Sequence, residues 1–138
     1  MEQKRIGKIL SRNDTGETGG HQAGILVPKR EEILSFFPPL NRSEKNPRCL
    51  LNFEDPEGTE WSFSFIYYNN SFWGGTRNEY RLTGMTEFIK HHGLRAGDSI
   101  MLARHNGHYT IDYAKQGAES PSSGGKLILG SSWKIIPI

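Results

Sequence analysis

The stretch RCLLNFEDPEGTEWSFSFIYY, Arg48 to Tyr68, decides the fold. In its second half Trp61, Phe63, Phe65 and Tyr67 alternate with Ser62, Ser64, Ile66 and Tyr68. A period of two puts successive side chains on opposite faces of a strand, so Glu60 to Tyr68 reads as a strand whose aromatic face is the centre of the core. Arg48 to Phe53 pairs with it as a hairpin around Asp55-Pro56-Glu57-Gly58, since Asp, Pro and Gly are the residues that turns require.

Outward from this hairpin the same alternation marks strands at Lys4–Leu10, Ala23–Val27, Glu79–Leu82, Lys126–Leu129 and Trp133–Ile136. Asp98–Arg104 and His108–Ala114 flank Asn106-Gly107, a pair suited to a tight primed turn. One short helix is expected from Pro28, with Glu31 and Glu32 in its first turn and Ile33, Leu34 and Phe37 on its apolar face, stopped by Pro38-Pro39. A second carries Met85, Phe88, Ile89 and His92, with Thr83 as its expected cap and Gly93-Leu94 as its stop. Seven or eight short strands with two short helices predict a mostly β barrel or sandwich, with helix a minor α+β component.

At 138 residues, 35% hydrophobic and 23% charged, residues 1–138 are expected to form one globular domain around a single core. No apolar run approaches the roughly 20 residues that span a bilayer, so a soluble protein with no membrane partner is expected. MEQKRIGKIL lacks the cleavage site of a secretory signal, and a single cysteine, Cys49, excludes an internal disulfide. Both point to a reducing, cytoplasmic setting, with Cys49 a buried structural thiol in its strand. The net charge is only +2, but it is unevenly spread. Residues 1–30 hold six Lys or Arg against three acids, residues 31–70 three against seven, and residues 71–95 four against two. The two positive segments contain polar loops, and one basic face toward phosphates is the implied arrangement.

Those loops are SRNDTGETGGHQAG, Ser11 to Gly24, and YYNNSFWGGTRNEYRLTG, Tyr67 to Gly84. Each holds the side-chain types that read base edges in a DNA major groove: Arg for guanine, Asn or Gln for adenine, Asp or Glu for cytosine. Arg77, Glu79 and Arg81 recur at a spacing of two and project to one side if the strand extends through them. A carboxylate there repels phosphates, and accepting a hydrogen from cytosine N4 is the natural compensation. The first loop offers Arg12, Asn13, Asp14, Glu17, His21 and Gln22 on a glycine-rich, flexible stretch. The competing reading is plain solvation: Asn13-Asp14 and Asn69-Asn70 form turns, and Arg77 with Glu79 makes a surface ion pair of little weight. Phe72 and Trp73 on a glycine-flanked tip weigh toward a partner.

Other chemistries fail their own tests. Gly16-Glu17-Thr18-Gly19-Gly20 is followed by no Gly-Lys-Ser/Thr, which excludes a phosphate loop. His91, His92, His105 and His108 read as helix-end and turn residues, so no metal and no cofactor are expected. Glu54, Asp55 and Glu57 belong to a hairpin turn, and no nucleophile elbow or triad pattern is present, so no catalytic residue is assigned.

In combination, DTGETGGHQAGILVPK, FSFIYYNNSFWGGTRNEYRLTG and FIKHHGLRAGDSI resemble the N-terminal effector domain of EcoRII-type restriction endonucleases, and also the plant B-three DNA-binding domain. The likeness covers about residues 5–104, departing from the plant pattern in the longer first loop and the inserted Trp73-Gly74-Gly75. It implies a seven-stranded open DNA-binding pseudobarrel with two short helices, whose two arms grip the major groove. The implied partner is double-stranded DNA with a short, pseudo-palindromic CC(A/T)GG-like site, bound by a monomer. Residues 1–138 would then be the N-terminal part of a longer restriction endonuclease, with cleavage and any magnesium in a separate nuclease domain. Carried over by position, the resemblance places Arg12, Asp14, Glu17, Thr18, His21 and Gln22 of the first arm near DNA. In the second arm it places Trp73, Arg77, Asn78, Glu79, Tyr80 and Arg81 there, with Lys29, Asn69, Asn70 and Ser71 on phosphates.

Overall fold

Wherever alternation predicts a strand among the described residues, a strand forms within a residue or two of its expected ends. The computed structural model describes residues 3–17, 24–116 and 133–137. In chain order the elements are β1 (Gln3–Ile9), α1 (Arg12–Thr15), β2 (Ile25–Val27), α2 (Glu31–Leu34), β3 (Arg48–Glu54) and β4 (Glu60–Tyr68). A 3-10 turn (Asn70–Trp73) leads to β5 (Glu79–Thr83), α3 (Thr86–His91), β6 (Ser99–His105), β7 (His108–Ala114) and β8 (Trp133–Ile135). The expected strand Lys126–Leu129 lies outside the described residues. None of the described helices is long and apolar enough to cross a membrane.

The strands form one sheet in the order β2-β5-β4-β3-β7-β6-β1-β8. Among the described residues it holds eight strands where the resemblance implies seven. Every pairing is antiparallel except the short parallel contact of β3 with β7 at Phe53↔Tyr109 and Glu54↔Thr110. The sheet curls until its two edge strands meet through a side chain, with the Trp133 indole of β8 donating to the Leu26 carbonyl of β2 at 2.9 Å. The fold is therefore a mostly β open barrel, latched across its gap by one indole.

The aromatic face of β4 lies at the centre of the core, as its alternation predicts. Phe63 and Phe65 are each 1% exposed. Phe63 packs edge-on against Phe88 of α3, and Phe65 stacks on Phe37 at 4.3 Å, so one strand joins the two helical plugs. Burying a large apolar side chain is worth roughly 1.5–3 kcal/mol. Ile66 is buried as well, on the opposite face, where it pairs with Arg81 of β5 and Arg48 of β3. Cys49 is half-buried against the core rather than fully inside it.

Local signals hold at the turns. Asn106 and Gly107 adopt φ of 52° and 84°, the two left-handed residues of a primed hairpin. At the end of α3, Gly93 donates to Lys90 O and Leu94 to Ile89 O, a Schellman ending in which Leu94 packs back into the core. Two expected helix starts differ. Pro28 and Lys29 stay outside α2, which is capped by Arg30 and runs a single turn. Thr83 does not cap α3: it belongs to β5, its hydroxyl donates to Ser64 O, and Met85 takes the cap position. A third helical segment, α1, appears where a flexible loop is expected.

Candidate nucleic-acid interface

The two polar loops lie beside each other because β2, which leaves the first, pairs with β5, which follows the second. A cleft of about 240 Å³ runs between them, lined by Asp14, Gly24, Tyr68 and Thr83 among others. Gly24 is required at the close approach. Its φ is +99°, and a Cβ there would sit 2.6 Å from Leu82 O.

The first arm starts as an ordered turn. Ser11 and Asp14 form a capping box, with the Ser11 side chain accepting from Asp14 N and the Asp14 side chain from Ser11 N. Gly16 closes the turn at φ 84°. The Asp14 carboxylate also meets Lys8 Nζ at 2.7 Å with both side chains largely buried, so it is engaged inside the protein rather than presented to a base. Glu17 accepts from Thr15 Oγ1 and from Ala96 N, each at 2.7 Å. The Thr15 bond foremost, then that of Ala96, hold the carboxyl below the ordinary range. Arg12 and Asn13 stay exposed on the turn, whereas Thr18, His21 and Gln22 lie outside the described residues.

The second arm is organised by its asparagines. Asn70 Oδ1 accepts from Arg77 N at 2.8 Å, and Asn70 O accepts from Gly75 N at 2.8 Å, which folds the loop back on itself. Asn69 is fully buried. Its Oδ1 accepts from Asn46 N at 2.7 Å, its Nδ2 donates to Glu44 O at 2.9 Å, and its backbone N donates to Asn46 Oδ1 at 3.2 Å. This reciprocal pair staples the 41–46 loop to the end of β4. Asn69, expected on a phosphate, has no side-chain surface to offer one, and Asn70 holds the loop's shape instead. Asn69→Ala is expected to cost about 1–3 kcal/mol in urea unfolding, because Asn46 N and Glu44 O lose their partners in a buried setting.

At the base of this arm the expected reading edge is assembled. Arg77 Nη2 and Arg81 Nε both donate to Glu79 Oε2, at 2.7 and 2.9 Å, although Arg77 precedes β5. The bond from Arg81 foremost, then that from Arg77, outweigh partial burial and hold the Glu79 carboxyl below the usual range. It is therefore an ionised acceptor at neutral pH. Among the described residues both bonds fall on Oε2, which leaves Oε1 open to a further donor. Arg81 Nη1 donates to Gly24 O at 2.8 Å, tying the second arm to the first, and Arg77 stacks over Tyr68 at 4.0 Å. The arginines are thus held in fixed directions at 37% and 20% exposure. Pairs so placed add little stability, and their value is orientation.

The remaining residues divide between surface and core. Lys29 Nζ and Tyr67 Oη both donate to Asn78 Oδ1, at 2.9 and 2.6 Å, which brings Lys29 to the foot of the second arm. Ser71 is half-buried, and its amide donates to Arg77 O. Phe72 and Trp73 form the tip, 64% and 47% exposed, with their rings edge to face. Tyr80 differs from expectation. It is 8% exposed and stacks on Tyr67 at 4.2 Å, because β5 alternates and the residue between Glu79 and Arg81 faces the core. Tyr68, under Arg77, and the Gly24 carbonyl were not among the expected residues. Tyr68 was legible as the last position of β4 on the Glu79 side of the sheet.

Comparison with known proteins adds four findings. Residues 4–106 match the family model of the restriction endonuclease EcoRII N-terminal region. The type II restriction enzyme EcoRII of Escherichia coli is 40% identical over 98 residues, covering 69% of this chain and 24% of that enzyme. The AP2/ERF and B3 domain-containing transcription factor RAV1 of Arabidopsis thaliana is 39% identical over 102 residues, covering 72% of this chain and 26% of RAV1. The chain thus spans about a quarter of the length of either relative. Among solved structures, the Arabidopsis FUS3-DNA complex aligns with a TM-score of 0.63 at 24% identity, covering 80% of this chain and 96% of that one. This likeness is one of fold.

Proposed function

The chain belongs to the family of restriction endonuclease EcoRII N-terminal domains, and from that premise we propose that it binds double-stranded DNA sequence-specifically, without cleaving it. Its two arms enter the major groove, and Arg81 with Glu79 reads a guanine-cytosine pair. The observation that carries this reading is the Arg77-Glu79-Arg81 group, braced on the Gly24 carbonyl. Arg81 keeps both hydrogens on Nη2 and the second on Nη1 for guanine O6 and N7, and Glu79 Oε1 accepts from cytosine N4. The bound site is short and pseudo-palindromic, of the CC(A/T)GG type, and is covered by a monomer. Residues 1–138 act as the recognition module of a longer restriction endonuclease whose cleavage chemistry lies in a separate domain. The FUS3-DNA complex and the B3 domain of RAV1 support the partner class.

Selecting bound duplexes from a random pool and sequencing them tests the reading directly. A short motif with outer G·C pairs is expected, and a pool with no enriched motif overturns sequence-specific binding. Sustained cleavage of the selected duplex by the pure chain with magnesium would move catalysis into this domain. Lys29, at the foot of the arm, is placed on a phosphate. Lys29→Ala is expected to weaken all sequences by one common factor and to lower the salt slope by about one, measured as log affinity against log salt. A changed base preference in that variant would contradict the phosphate assignment.

A further inference from the structure

We propose that Glu57, His91 and His92 form a binding site for a divalent late first-row cation, with zinc the best match, which pins the β3–β4 turn to the C-terminal end of α3. One donor atom from each of the three side chains lies within 4.8 Å of the other two. A tetrahedral site with bonds near 2.0–2.2 Å needs donors about 3.4 Å apart. Glu57 and His91 are exposed and can turn to close that difference, whereas His92 is already held in place. Its side chain is 3% exposed, packed against Phe88 and Tyr113 with ring centroids 4.6 and 4.3 Å away.

The second observation is what lies behind His92. Asp55 Oδ2 sits 3.2 Å from His92 Nε2, and the Asp55 side chain is fully buried. Its carboxylate also accepts from Glu57 N, Thr59 N and Trp61 Nε1, each at 2.9 Å. An ionised carboxylate only accepts, so His92 Nε2 carries the hydrogen and neutral imidazole keeps its lone pair on Nδ1. A buried carboxylate that orients a histidine by its other nitrogen is the arrangement metal-binding histidines require. Two imidazoles and a carboxylate suit zinc in the borderline-soft series, and three protein donors leave one position for water.

The three ligands come from two elements far apart in the chain, so a bound cation cross-links the hairpin turn to the helix. This end of β4 is opposite the second arm, at the far end of a nine-residue strand, or about 26 Å away. The site is independent of the arms.

Calorimetric titration of the metal-free full chain with Zn²⁺, with Co²⁺ absorption as the spectroscopic check, decides the proposal. One ion per chain is expected, together with a higher Tm in excess zinc. His91→Ala and Glu57→Gln, both at exposed positions, should each lower affinity at least about 10-fold. His108→Ala, which removes the exposed histidine paired with Glu54, should leave affinity unchanged. Unchanged affinity in His91→Ala, or no binding of Zn²⁺ by about 1 mM, the weak end of measurable affinities, would overturn it.

Discussion

Arg81→Ala is expected to lower affinity for the selected duplex about 100-fold, near 3 kcal/mol, and to relax preference at one base pair. Two losses combine. The guanidinium supplies the paired donors for guanine, and its bonds to Glu79 and Gly24 O fix how the two arms stand relative to each other. Removing it also leaves Glu79 with one arginine instead of two, which raises the cost of bringing that carboxylate to DNA. Arg81→Lys separates the effects, since lysine keeps the charge but lacks the planar fork and should recover little specificity. Competition binding on the selected site and on duplexes altered at single positions measures both. Unchanged cognate binding in Arg81→Ala would remove the second arm from the recognition surface.

Phe65→Ala is expected to destabilise the fold by about 4 kcal/mol, by loss of buried area and by the cavity left between rigid neighbours. The ring is 1% exposed, stacks on Phe37 and faces Tyr80 at 5.6 Å. Tyr80 in turn supports Tyr67, whose hydroxyl holds Asn78 at the base of the arm. Weaker DNA binding should therefore accompany the lower stability even at temperatures where the variant remains folded. Urea unfolding followed by tryptophan fluorescence gives the first quantity and a binding isotherm the second. A loss below about 1 kcal/mol would contradict the central packing role of β4.

Most of the fold is legible in the sequence because it rests on local rules. The alternation in β4, the Asn106-Gly107 turn and the Gly93-Leu94 stop are each decided within a few residues. The site was legible in part. Arg77, Glu79 and Arg81 converge as their spacing predicts, and the same spacing turns Tyr80 inward; carrying Tyr80 onto DNA by family position overrode that rule. The α1 turn had a signal in Ser11-x-x-Asp14, a capping box with aspartate in place of glutamate. Asn69 had none. Its burial answers the backbone of a loop more than twenty residues earlier, and no local pattern announces that requirement. Thr83 misled for a similar reason, because its strand continues one residue further and takes the hydroxyl with it. The histidines at the end of α3 read as ordinary helix-end residues on sequence grounds, and only the fold brings Asp55 and Glu57 beside them.

The indole latch between β8 and β2 bears on how the chain is made. Ile6 of β1 pairs with Leu102 and with Ile135, so β1 takes both its partners from segments far downstream in the chain. At about 5–20 residues per second, β1 stays unpaired for on the order of ten seconds. Non-local pairing of this kind also slows folding once the chain is released. The apolar face around Ile6 and Leu10 is thus open to aggregation and to chaperones over that interval, and the Trp133 latch across the barrel forms only once β8 has been made.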